Sequence, residues 1–134
     1  MKTLLLSALA SLSLAGASYA EVCEREQTGV ATTAEIVEFR LAEGMTDEQF
    51  LASAQASTVY LCSTAAFVRR SLSQDETGLW TDYVEWTSKE EAQAAAEAAM
   101  QREDMMPFMM AIDPESIALR YAAISSIEYQ DAQN

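Results

Sequence analysis

The stretch GLWTDYVEWTSKEEAQAAAEAA, residues 78–99, decides the fold. Its first part, residues 79–86, is rich in aromatic and β-branched residues and reads as a strand. Alternation puts Trp80, Asp82, Val84 and Trp86 on one side of that strand and Thr81, Tyr83 and Glu85 on the other. Ser88-Lys89-Glu90-Glu91 then matches a capping box, in which a hydroxyl and an acidic side chain serve the first free N–H groups of a helix. After it, Ala92, Ala95, Ala96, Ala99 and Met100 recur at helical spacing, with Lys89, Glu90, Gln93, Glu97 and Gln101 opposite. A face made of alanines lets the helix lie close against a sheet.

Working outward, QDETG at 74–78 is turn chemistry and makes residues 65–72, AAFVRRSL, the other arm of a hairpin. Further upstream, TAEIVEFRL at 33–41 reads as a strand that Gly44 ends. Thr46-Asp47-Glu48-Gln49 is a second capping box, and its helix places Phe50, Leu51, Ala54, Thr58 and Leu61 on one face before ending near residues 61–63. Downstream, Pro107 and Asp113-Pro114 bound an irregular connection to a last strand, SIALRYAAI, at 116–124. The order β-α-β-β-α-β over 33–124 is the ferredoxin-like α+β plan. It predicts an antiparallel sheet with strand order 4-1-3-2 and both helices on one face. Residues 21–32 and 125–134 read as tails.

The chain of 134 residues carries 8 basic and 21 acidic residues, a formal charge of −13, and no histidine. One domain is expected. The missing histidine excludes a Ser-His-Asp triad, a Cys-His dyad and His-ligated zinc or haem. The acidic balance argues against nucleic acid and against stable membrane association. Residues 1–20 read as a secretory signal: Lys2, an apolar run from Leu4 to Leu14, and the small residues of Ser18-Tyr19-Ala20 before a cleavage site after Ala20. A periplasmic or secreted location is therefore expected. There, Cys23 and Cys62 are expected to pair, since an even cysteine count in an oxidising compartment points to a disulfide.

The segment from Gly78 to Ser88, with Glu90-Glu91-Ala92 and the alanine-rich helix, resembles the dimeric α/β-barrel superfamily, within it proteins with an antibiotic biosynthesis monooxygenase (ABM) domain. The early strand at 33–41, Phe67-Val68-Arg69-Arg70 and the Ile112-Asp113 step support the resemblance; Ala65-Ala66 stands where the family often has Pro-Gly. The resemblance implies a ferredoxin-like fold, a homodimer built on the sheet and, for some members, monooxygenase activity without a cofactor. The haem-using branches need a histidine and are not implied.

Strand parity gives candidate site residues. The sets Glu35, Val37, Phe39, Leu41 and Ile117, Leu119, Tyr121 are expected under the helices. The remaining face then gathers Glu38, Arg40, Trp80, Asp82, Trp86 and Arg120, with Arg70 from the edge. Two tryptophans there predict a face covered by a second subunit or a pocket for a small aromatic or acidic molecule. Arg40, Trp80, Asp82, Trp86 and Arg120 are the pocket candidates, Asp82 is expected to pair with Arg40, and Asp82 or Glu38 is the candidate general base. Met105, Met106, Met109 and Met110, beside Met100, are soft ligands that suit Cu(I), a remote alternative; they read more simply as adaptable packing, and no cofactor or metal is expected. The functional expectation is a small-molecule-binding or structural domain, with a cofactor-independent monooxygenase-like enzyme as the alternative.

Overall fold

The computed structural model describes Cys23 and residues 28–125; the signal segment and its cleavage site, and most of the C-terminal tail, lie outside them. The strands are β1 (Thr33–Phe39), β2 (Phe67–Gln74), β3 (Trp80–Trp86) and β4 (Ala118–Ala123). The helices are α1 (Asp47–Ser63), α2 (Lys89–Ala99) and the short α3 (Met106–Met110). The strands form one antiparallel sheet in the order β2-β3-β1-β4, as the sequence predicts. Among the described residues no helix is long and apolar enough to cross a membrane.

Local chemistry explains the boundaries. Thr46 caps α1 as a full capping box: its hydroxyl accepts from the Gln49 N–H, and the Gln49 side chain accepts from the Thr46 N–H. At α2 only half of that exchange forms. Ser88 accepts from the Glu91 N–H, but the Glu91 carboxylate turns to the Thr87 hydroxyl at 2.6 Å. The β2–β3 turn is held by Asp75, whose carboxylate accepts from the Thr77 and Leu79 N–H groups, and by Gly78 at φ +79°. That turn takes residues 75–79, so β2 runs two residues later than its pattern indicates. β1 ends two residues early because Arg40 leaves the ladder: its N–H binds the Ser116 hydroxyl and its guanidinium the Thr77 carbonyl. Pro114–Ser116 form a 3₁₀ turn capped by Asp113, which delays β4.

The helices cover the face of the sheet that carries the tryptophans, and this corrects the predicted arrangement. In the β1–β3 register Val84 lies opposite Glu35, Asp82 opposite Val37 and Trp80 opposite Phe39. Residues directly opposite share a face, so Trp80, Asp82 and Trp86 join the apolar set of β1 beneath the helices. Glu38, Thr81, Tyr83, Glu85 and Arg120 point the other way. Trp80 and Trp86 are core residues, not an intersubunit surface; a homodimer built on the helix-free face would use the neighbourhood of Ile36 and Tyr83. The buried face of α1 is Phe50, Ala54, Ser57 and Tyr60, while Leu51, expected inside, is exposed.

Two apolar clusters fill the space between sheet and helices. One holds Phe39, Phe50, Ala54, Trp80, Ala111 and Ile112. The other holds Ala66, Phe67, Val84, Trp86, Ala92 and Ala95, with Cys23 and Cys62 packed against it. The expected Cys23–Cys62 disulfide is present, with 5.3 Å between Cα atoms, and ties the N-terminal segment to the end of α1. It closes a loop with a sequence separation of 39. Reduction is expected to lower the unfolding free energy by about 3–4 kcal/mol in the chain-entropy account. Urea unfolding with and without a thiol reductant measures this, and an unchanged midpoint would show that the link restrains little.

Candidate functional site

A polar layer separates the two apolar clusters, and it starts from a bulge. β2 pairs Phe67 with Trp86 but Arg69 with Glu85, so the extra residue at Val68 reverses the side-chain parity. Phe67 and Arg70 therefore both face the helices, although simple alternation puts them on opposite sides. Arg69 is left on the outer face, where it pairs with Glu85 at 2.6 Å.

Arg70 and Asp82 form a buried ion pair, with side chains only 6% and 7% exposed. Arg70 Nε donates to Asp82 Oδ1 at 2.9 Å and Nη2 donates to Oδ2 at 2.6 Å. Nη1 reaches α1, lying 2.9 Å from the Ala54 carbonyl, the Ser57 hydroxyl and the Thr58 hydroxyl. The Ser57 and Thr58 hydroxyls donate to the same carbonyl, and the Phe108 ring lies 4.8 Å from the guanidinium carbon. Every contact is one that desolvation strengthens, provided none is removed.

Beneath this layer lies a cavity of about 180 Å³. Glu35, Val84 and Trp86 line it from the sheet; Ser57, Tyr60 and Leu61 from α1; Ala95, Ala96 and Ala99 from α2. Arg70 and Asp82 add charge, and Met100, Met105, Phe108 and Met109 complete the wall. Ala96 and Met100 are exposed, which places the mouth at the C-terminal end of α2. An engineered apolar cavity of about 150 Å³ holds benzene, so the volume fits a single ring.

Glu35 is the unusual group of this cavity. Its Oε2 is buried without a hydrogen-bond partner, as is the Trp86 Nε1. Burial first, and then the nearby Asp82 carboxylate, push the Glu35 carboxyl up to about 7; the Tyr121 hydroxyl and Arg70 act against the shift. Tyr121 is its cross-strand neighbour on β4, and burial followed by the Glu35 charge raises the phenol in turn.

Of the residues singled out from sequence, Trp86 and Asp82 line this cavity, and Trp80 lies in the neighbouring apolar cluster. Glu38 and Arg120 pair with each other at 3.0 Å on the outer face. Arg40 binds the Thr77 loop, so the expected Asp82–Arg40 pair is replaced by Asp82–Arg70. Glu35 was not singled out. A signal was present: it is the one carboxylate among Val37, Phe39 and Leu41 on a face otherwise apolar. The methionines divide. Met100, Met105 and Met109 line the cavity, whereas Met106 and Met110 are exposed and do not line it, so the four-methionine set is not brought to one point. Among the described residues no three His, Cys, Asp or Glu side chains are grouped to hold a metal.

Two outcomes follow from this geometry. Asp82→Ala leaves a buried Arg70 uncompensated and is expected to cost about 3–5 kcal/mol of stability, whereas adding Arg70→Met should restore part of it. Urea denaturation of both variants measures the difference. The raised Glu35 value has the opposite sense. The unfolded chain releases this proton near 4.5 and the folded one near 7, so its contribution is fully present below 4.5 and lost as pH rises through 7. Glu35→Gln is therefore expected to stabilise the protein at pH 8, by on the order of 3 kcal/mol, with the gain vanishing towards pH 4. Thermal melts across that range test it, and a gain independent of pH would contradict it.

No protein-family profile matches the sequence, and no curated protein is similar to it by sequence. Solved structures are similar in fold. SnoaB, a cofactor-independent oxygenase from Streptomyces nogalater, aligns at TM-score 0.52 and 11% identity, over 75% of this chain and 97% of that one. The ActVA-Orf6 monooxygenase of Streptomyces coelicolor, in complex with the ligand Nanaomycin D, aligns at 0.53 and 10%, over 75% and 94%. A hypothetical Arabidopsis thaliana protein aligns at 0.55 and 9%, over 75% and 95%. The element order and the 4-1-3-2 sheet thus give this chain the α+β, ferredoxin-like fold that these solved structures share.

Proposed function

We propose that the cavity binds a one-ring phenolic or enolic molecule and that Glu35 removes its acidic proton, the opening step of a cofactor-independent oxygenation. The observation that carries this is a buried carboxylate, poised near neutral pH, on the wall of a largely apolar cavity of single-ring size. A general base works best when its value lies close to the working pH. Burial supplies that here with no metal or histidine.

Each neighbour has a part. Asp82 raises Glu35 and at the same time holds Arg70 in place. Trp86, Tyr60 and Phe108 supply flat apolar walls for a ring. A phenolate is electron-rich and can reduce dioxygen: phenol and O₂ give benzoquinone and water, with atoms balanced and no external reductant. The similar solved structures include an oxygenase that works without a cofactor and a monooxygenase that holds a ligand, and they support the reading by analogy of fold.

Oxygen uptake with phenol, hydroquinone and catechol, followed by an oxygen electrode, tests the proposal. Turnover is expected to rise with pH through about 7 and to fall at least about 100-fold in Glu35→Gln, while phenol binding persists. Binding without any uptake would leave a small-molecule-binding domain, and neither binding nor uptake would reject the cavity as a ligand site.

A further inference from the structure

The cavity is built from walls of very different stiffness. Its sheet side, Glu35 and Trp86, rests on a strand ladder paired on both sides. Its α2 side is alanine, already reduced to methyl groups and unable to yield further. α1 adds Ser57, Tyr60 and Leu61, and the wall beyond the C-terminal end of α2 is Phe108 and three methionines. Met105 is wedged in the core at 6% exposure, but Met100 is 66% exposed and Met109 half-buried, so both border on solvent. Methionine is unbranched, with three rotatable bonds and a soft sulfur, and adapts its shape to what it touches.

The backbone carrying Met109 is also lightly held. α3 has five residues and no side-chain cap, and the Glu103–Met105 turn before it has none either. Buried Met105 and Ala111 hold its two ends, and between them Phe108 lies near Phe50 at 5.9 Å and over Arg70. Met106 and Met110, in the same segment, are 43% and 69% exposed and do not line the cavity. The same residue type therefore occurs four times in one short segment, with Met105 and Met109 inward and Met106 and Met110 outward.

We propose that Met100 and Met109 form an adjustable gate that sets the largest ligand the cavity admits and holds it to one-ring molecules. This rests on the reading of the cavity as a ligand site. Their replacement by alanine removes Cγ, Sδ and Cε from the wall and leaves the polar layer intact. The sheet and the alanine face then remain as they are, and the cavity extends only towards the mouth.

Calorimetric titration of the full chain with phenol and with 1-naphthol tests it. The unmodified protein is expected to bind phenol about 10-fold more tightly than 1-naphthol. Met100→Ala and Met109→Ala should each tighten 1-naphthol about 10-fold without tightening phenol, while Met106→Ala and Met110→Ala change neither. Met100 is exposed, so Met100→Ala carries the test even if Met109→Ala loosens the fold. Equal binding of the two probes by the unmodified protein, no response in Met100→Ala, or an equal response in the outward variants would overturn the gate. Failure of the unmodified protein to bind either probe would instead overturn the ligand-site reading beneath it.

Discussion

The Arg70–Asp82 ion pair is the constraint around which the interior is arranged. A guanidinium and a carboxylate have been taken out of water together, and the cost is offset only because each polar atom finds a partner. Those partners dictate structure. Asp82 has to share a face with Arg70, which the bulge at Val68 arranges. α1 has to present a carbonyl and two hydroxyls to the other side of the guanidinium, which Ala54, Ser57 and Thr58 do. The pair thereby joins the edge of the sheet to its covering helix through directional bonds, and it divides the core into two apolar clusters.

That division explains the cavity. Where two well-packed clusters meet across a polar layer, neither can extend its side chains into the gap without displacing a satisfied hydrogen bond. α2 contributes only alanines there, so the helix approaches closely yet leaves space above the sheet. Glu35 lies at that junction. It is near enough to Asp82 to feel its charge and buried enough to lose much of its solvation, and the compensation from Arg70 and Tyr121 is incomplete. A carboxyl that is costly to ionise in the resting protein is the kind of group that sites use for proton transfer.

The solved structures of similar fold include two oxygenases and a hypothetical protein, at identities of 9–11%. Fold does not carry chemistry with it. The functional reading therefore stands on the groups that line this cavity. The disulfide at the end of α1 fits an oxidising compartment. It also packs on the cluster that contains Trp86, one of the residues that line the cavity.

The sequence by itself determined the order of elements, the strand order and the cysteine pairing. Those follow from local signals: period-two and helical patterning, the capping residues Thr46 and Ser88, the turn at Asp75–Gly78, and an even cysteine count. What it left undecided was which face of the sheet the helices cover and which charges meet. Trp80, Asp82 and Trp86 alternate correctly in the sequence, but only the register with β1 shows that they lie beneath the helices. Arg70 reaches the interior only because one bulged residue reverses its parity, and a bulge depends on the partner strand. Glu35 reads as an ordinary strand carboxylate; its altered acidity arises from burial and from Asp82 on the neighbouring strand, both of which come into being only when the chain has folded.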